Sequence, residues 1–191
     1  MRLVESLLSK LKGKPALIGA KEVDDWPPHV FELLAMRFSD TVRMLVSERK
    51  PQGRTHFVGA MRYPWVEAAL RHGAAIKTAE LTVRDQDITH AFRPSKVRDG
   101  KAVDPLWYGR LPLHLRTPQA VLLRITKAEK NVKQELLLVY DSGSEKAKIV
   151  ALIDYQGDGF NIVRTASRLI ELDTLIGMVR NGAAVLIDGS L

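Results

Sequence analysis

The 191 residues contain no cysteine, so the chain can form neither a disulfide framework nor a thiolate metal site, and a cysteine nucleophile is excluded as well. Nowhere do about 18 apolar residues run together, the length a membrane-spanning helix needs, so no membrane partner is expected. The opening stretch MRLVESLLSKLKGK lacks the uninterrupted apolar core and small-residue cleavage site of a secretory leader. Its charges are mixed among apolar residues at helical spacing, which predicts an amphipathic helix of a soluble, cytoplasmic protein. Internal repeats and low-complexity tracts are absent too. His29, His56, His72 and His114 show no ligand spacing with acidic partners, so neither a metal site nor a cofactor is expected.

What is present is the composition of a folded chain, 46% hydrophobic and 27% charged. Lysine and arginine exceed the acids by 7, and the excess is concentrated: residues 84–133 hold 11 basic and 5 acidic side chains, whereas residues 134–191 are net acidic. A concentrated basic stretch attracts polyanions through counterion release and steering, although a solvated helix-and-loop surface has the same composition.

The first part reads as helices. From Arg2 to Lys12, Leu3, Leu7, Leu8 and Leu11 share one face. Pro27 and Pro28 can open a second helix with Val30, Leu33, Leu34 and Phe38 as its stripe. Asp40 is a plausible N-cap for a further segment, Val42 to Leu45, that suits a helix or a strand. Residues 48–56, with Pro51 and Gly53, read as a loop, and Pro64-Trp65 opens a short helix that Gly73 can end.

After residue 79 the pattern changes. Glu80 to Arg84 alternates like a strand, Asp87 can cap a helix reaching Phe92, and Pro94 keeps Arg93 out of helical geometry. Four strand-like runs follow: 120–125, 135–140, 148–155 and 160–166. DSGSEK and QGDG between them have hairpin chemistry, and short connections make neighbouring strands antiparallel. A helix over 172–180, stopped by Asn181-Gly182, and an edge strand over 183–187 complete an α+β chain. Residues 1–78 are expected to be a helical N-terminal extension, and residues 79–191 the functional domain.

One block, Asp87-Ile88-Thr89-His90-Ala91-Phe92-Arg93 with Lys96, resembles the opening I-x-H-A-x-R/K-x-x-K of phage Barnase-EndoU-colicin-RelE domains, which occur at the C-terminus of Mu-like phage minor head proteins. Three more blocks follow in order: Leu111-Pro112 with residues 117–121, Leu138 to Asp141 with Lys148 to Val150, and Asn161 to Ala166. The resemblance covers about residues 80–170. It implies a helix with a four-stranded antiparallel sheet acting as a metal-independent endoribonuclease on RNA, in the host cytoplasm or on the virion.

Metal-free RNA cleavage needs a base for the ribose 2′-hydroxyl, an acid for the departing 5′-oxygen and cations around the phosphorane. His90 is the histidine inside a polar cluster, and imidazole titrates near the useful pH. Arg93 and Lys96 can reach one phosphate with it. Arg164 and Thr165 lie on a strand that could return to the same place, Arg164 as a phosphate ligand and Thr165 to orient the scissile group. Side chains alternate along a strand, so both can face one groove only across a bulge or a strand end. Tyr140 and Tyr155 read as sheet residues at the core margin, and Trp107-Tyr108 as apolar anchors.

The competing expectation is a non-catalytic phage head or packaging accessory domain that binds nucleic acid or docks a head or portal protein through its N-terminal helices. ADP-ribosyl transfer is disfavoured, because the chain lacks an Arg, Ser-Thr-Ser, Glu-x-Glu series.

Overall fold

Pro27 and Pro28 do open a helix, and it runs further than its sequence punctuation suggests. The computed structural model describes residues 2–128, 131–141, 146–155, 157–168 and 172–191. Helices α1 (Arg2–Leu11) and α2 (Ala16–Asp24) lead to α3 (Pro28–Glu48), which ends at the left-handed Arg49. Asp40 therefore caps nothing; it lies exposed inside α3, paired with Arg43. The segment beyond it stays helical because Phe38, Val42 and Leu45, at helical spacing, extend one buried stripe.

Strand β1 (Thr55–Ala60) then pairs antiparallel with β2 (Glu80–Arg84), with α4 (Tyr63–Arg71) between them. The loop expected over residues 48–56 thus ends two residues early, and α2 and β1 are elements that the hydrophobic pattern did not announce. Four short helices follow: α5 (Asp85–Ala91), α6 (Pro94–Arg98), α7 (Pro105–Gly109) and α8 (Leu111–His114).

The four expected strands are β3 (Ala120–Ala128), β4 (Asn131–Tyr140), β5 (Ala147–Tyr155) and β6 (Phe160–Arg168), joined antiparallel in chain order. They belong to a wider, mixed sheet of seven strands in the order β1-β2-β6-β5-β4-β3-β7, in which β2 and β6 are parallel. Helix α9 (Leu172–Arg180) leads to β7 (Val185–Gly189) on the edge beside β3. The chain is α+β, with its helices first. Of the two hairpin connections, residues 142–145 of DSGSEK and Gln156 of QGDG lie outside the described residues. In the second, Gly157 and Gly159 take φ of 77° and 81°, the left-handed values for which glycine suits the turn. Asp154 closes this turn by accepting from the Gly159 amide at 2.7 Å.

The sheet buries its two faces unequally. Against the helical layer lies the main core, which runs from Val4 through Trp65 and Leu81 to Val163, so residues 1–78 and 79–191 share one core and one sheet. On the opposite face α9 packs Leu175 over Ala120, Leu122, Leu137 and Val139, with Val150 at the margin. Beyond Val150, side chains of that face at Lys148, Leu152 and Thr165 stay partly exposed. Alternation along β5 and the Val150–Thr165 pairing put all of these on one side. Among the described residues no helix is long and apolar enough to cross a membrane.

Candidate active site

β2 pairs with β6 only at Leu81–Asn161 and Thr82–Ile162. Past that point the two strands part, and α5 and α6 occupy the edge that β2 leaves. The junction is held by two buried carboxylates. Asp85, 1% exposed, accepts from the backbone amides of Gln52 at 2.8 Å and Arg54 at 3.1 Å, and bonds His56 Nε2 at 2.6 Å. Burial raises the Asp85 pKa, but the His56 bond and the two amides outweigh it and leave the carboxyl below its ordinary value.

Asp87 does not cap the helix, as its position before an apolar run suggests it should. The helix starts two residues earlier, and Asp87 sits in the first turn as a clamp. Its Oδ2 accepts from Arg84 Nε at 2.7 Å, while its Oδ1 accepts from Arg84 Nη2 at 3.3 Å and from Arg164 Nη1 at 3.1 Å. Arg84 also lies over the Tyr155 ring, 5.1 Å from the centroid. One carboxylate thus orders two guanidiniums from different strands.

His90 follows Asp87 by three residues, near the end of α5. Its imidazole is exposed and makes no hydrogen bond among the described residues. Arg93, held extended before Pro94, leads into α6, and Lys96 of that helix donates to Thr165 Oγ1 at 2.9 Å. The five residues expected to act together therefore come together, along one edge of β6.

The geometry that lets Arg164 and Thr165 both take part is a β-bulge. Val150 pairs with Thr165, but the next residue, Ala151, pairs with Val163, so Arg164 is the extra residue. Strict alternation would have sent these neighbours to opposite faces. The bulge releases Arg164 toward Asp87 while Thr165 meets Lys96.

Electrostatics follow from this crowding. The His90 pKa is lowered from 6.5, first by desolvation and then by the charges of Lys96, Arg93 and Arg164, with Asp87 opposing. The imidazole is therefore neutral at pH 7, the form that can accept a proton. Lys96, half-buried, is lowered below 10.5 by desolvation first and by Arg93 second. Arg93→Gln removes one of the cations facing His90 and is expected to move its titration midpoint up toward 6.5, as read from the ring-proton shifts by NMR. A midpoint that stays put would show that Arg93 does not face the imidazole.

Arg84, the clamp role of Asp87, and Tyr155 were not anticipated. The opposite charges at Arg84-x-x-Asp87 across a strand-to-helix junction are the signal that could have found the first two; Tyr155, expected only as a sheet residue at the core margin, lies under Arg84. The other aromatics are structural. Tyr140 donates to the His114 carbonyl at 2.9 Å, Tyr108 packs edge-on to Phe92, and Trp107 stacks on His114 at 4.2 Å. Burial takes the His114 pKa down to about 4. No three histidine, aspartate or glutamate side chains among the described residues gather where they could hold a metal ion.

Chemically, the cluster offers a proton acceptor beside three cations and a hydroxyl, on an open shelf that an extended polyanion can reach. Compared with family models, curated proteins and solved structures, the chain matches none.

Proposed function

We propose that the chain is a metal-independent endoribonuclease of phage or prophage origin, of the Barnase-EndoU-colicin-RelE kind, with its site at the β6 bulge. The observation that carries this reading is the meeting of exposed His90 and Arg93 with Lys96, which bonds Thr165, and with Arg164, which bonds Asp87, beside the β6 bulge. The run β3–β4–β5–β6 with α5 beside it supports the family's helix-and-sheet arrangement, and the basic excess of residues 84–133 supports RNA as the substrate.

In this mechanism His90 takes the proton of a ribose 2′-hydroxyl. The 2′-oxygen bonds to phosphorus as the bond from phosphorus to the 5′-oxygen breaks, and Lys96, its acidity raised by burial, gives the leaving oxygen its proton. Arg93 and Arg164 neutralise the charge that grows on the phosphorane, and Thr165, fixed by Lys96, orients the phosphate. The products are a 2′,3′-cyclic phosphate and a 5′-hydroxyl. Since His90 acts in its neutral form, activity is expected to fall as pH drops through a midpoint below 6.5.

The test is mixed RNA incubated with the purified protein in EDTA, with analysis of the product ends. Cleavage is expected to persist and to leave 2′,3′-cyclic phosphate or 3′-phosphate. Products ending in 3′-hydroxyl would rule the chemistry out.

One observation favours a second reading, a phage accessory domain that binds nucleic acid without cutting it. Asp87 already engages both Arg84 and Arg164, so part of the cationic cluster is satisfied from within the fold. Tight RNA binding with no cleavage above background would select it.

A further inference from the structure

A second site lies in the helical layer, away from the β6 edge and independent of the reading above. Between α3 and the α8 turn runs a groove of about 950 Å³, within the size range of small-molecule sites. Its floor is apolar, made by Trp26, Phe31, Ala35 and Leu113, and Met36 on its wall is 66% exposed. One end meets a second recess lined by Arg62, and the two share Asp24 and Arg116.

At that shared end several donors converge on Asp24, while Asp25 lies exposed on the second recess. Asp24 receives Arg116 Nη2 at 2.7 Å and the Tyr63 amide at 2.8 Å, and Arg62 Nε stands 3.9 Å from it. One carboxylate thus faces two guanidiniums. Three buried donors on residues lining these two recesses have no hydrogen-bond partner among the described residues: Trp26 Nε1, Arg62 Nε and Arg116 Nη1. Trp26 itself is 6% exposed and wedged beside Phe31 and Phe57. Leaving a buried donor unbonded is costly, and charged donors more so. Arg116 lies over the Phe31 ring, 4.8 Å from its centroid, so the apolar floor and the surplus of positive charge meet at one residue.

We infer that this groove binds a small monocarboxylic acid with an apolar body. The carboxylate supplies the acceptors that Arg116 and Trp26 lack, and the apolar body lies along Phe31, Leu113 and Met36. Arg116 keeps a fifth of its side chain exposed, and in the proposed complex its guanidinium turns so that Nη1, covered in the free chain, meets the ligand while Nη2 keeps Asp24. Glu32 and Asp40 on the lining are matched by Arg43 and Arg110, so the groove carries no concentrated positive charge of the kind a polyanion needs.

The probes are 4-phenylbutyrate and its uncharged isostere 4-phenylbutan-1-ol, titrated into the full chain by calorimetry or saturation-transfer NMR. The acid is expected to bind at least about tenfold more tightly than the alcohol, the size of a hydrogen bond to a charged group. Arg116→Met, which keeps a stem on Phe31, should abolish that preference; Trp26→Phe, which removes the indole N–H together with part of the bicycle, should reduce it severalfold. Because Arg116→Met deprives Asp24 of a partner and Trp26→Phe opens a gap beside Phe31 and Phe57, thermal melting accompanies both, and each variant that folds tests the site by itself. His90→Ala should leave binding unchanged. Equal binding of acid and alcohol, no binding of either at millimolar concentration, or an acid preference that survives in folded Arg116→Met and Trp26→Phe would each overturn the assignment. A peptide with a free C-terminal carboxylate that binds while 4-phenylbutyrate does not would overturn the small-ligand assignment too.

Discussion

His90→Ala is expected to reduce RNA cleavage by roughly a hundredfold or more, the usual contribution of a general acid–base group, while leaving RNA affinity and thermal stability nearly unchanged. The separation follows from where His90 sits. The imidazole is exposed and makes no hydrogen bond among the described residues, so its removal opens no cavity and strands no buried partner there. Its neutral state at pH 7 means that it adds no positive charge for phosphates to lose. Binding rests on Arg93, Lys96 and Arg164, which the substitution leaves in place. The measurements are cleavage rate, RNA affinity and melting for wild type and variant. An active wild type with an unaffected variant would remove His90 from the mechanism. A wild type inactive across diverse RNAs would favour the accessory domain.

The four-strand meander was legible because each strand is a run of branched and aliphatic residues bounded by turn chemistry, and because connections this short force antiparallel neighbours. The width of the sheet was not. β1 is a short edge strand that passes from exposed Thr55 through partly buried His56 and Phe57 to a buried end, which gives little hydrophobic alternation, and it follows a polar loop. Its pairing with β2 depends on partners that lie from Glu80 to Arg84, beyond the whole of α4, to which a local pattern is blind. Helix α2 is short and weakly amphipathic, and its buried face is built on Ala16, Gly19, Ala20 and Val23, small residues that mark close packing better than periodicity.

The candidate site was legible as a set of residues and opaque as an arrangement. His90, Arg93 and Lys96 lie within one stretch of seven residues, so their proximity follows from chain connectivity. Arg164 and Thr165 could join them only through an irregularity, and the sequence Val163-Arg164-Thr165 carries no glycine to announce a bulge. Asp87 was misread for a simple reason: an aspartate before an apolar run has the chemistry of a cap, but here two arginines from adjoining strands compete for it and win.

Asp87→Ala is accordingly expected to have the largest effect on the fold of any change at the site. Asp87 is 4% exposed and answers two guanidiniums, of which Arg84 is largely buried and Arg164 about half exposed. Breaking a buried pair by deleting one partner typically costs about 3–5 kcal/mol, because the remaining charge stays desolvated. The lower end applies, since Arg164 can turn to solvent. A loss of about 3 kcal/mol corresponds to a melting point lower by roughly 6–12 °C for a chain of this size. The same change removes the one nearby negative charge that raises the His90 pKa, so its midpoint should fall further below 6.5. Differential scanning calorimetry reads the first effect and NMR titration of His90 the second. A variant that melts like wild type would show that Asp87 orders neither arginine, and a His90 midpoint that rises would show that Asp87 and His90 do not share one field.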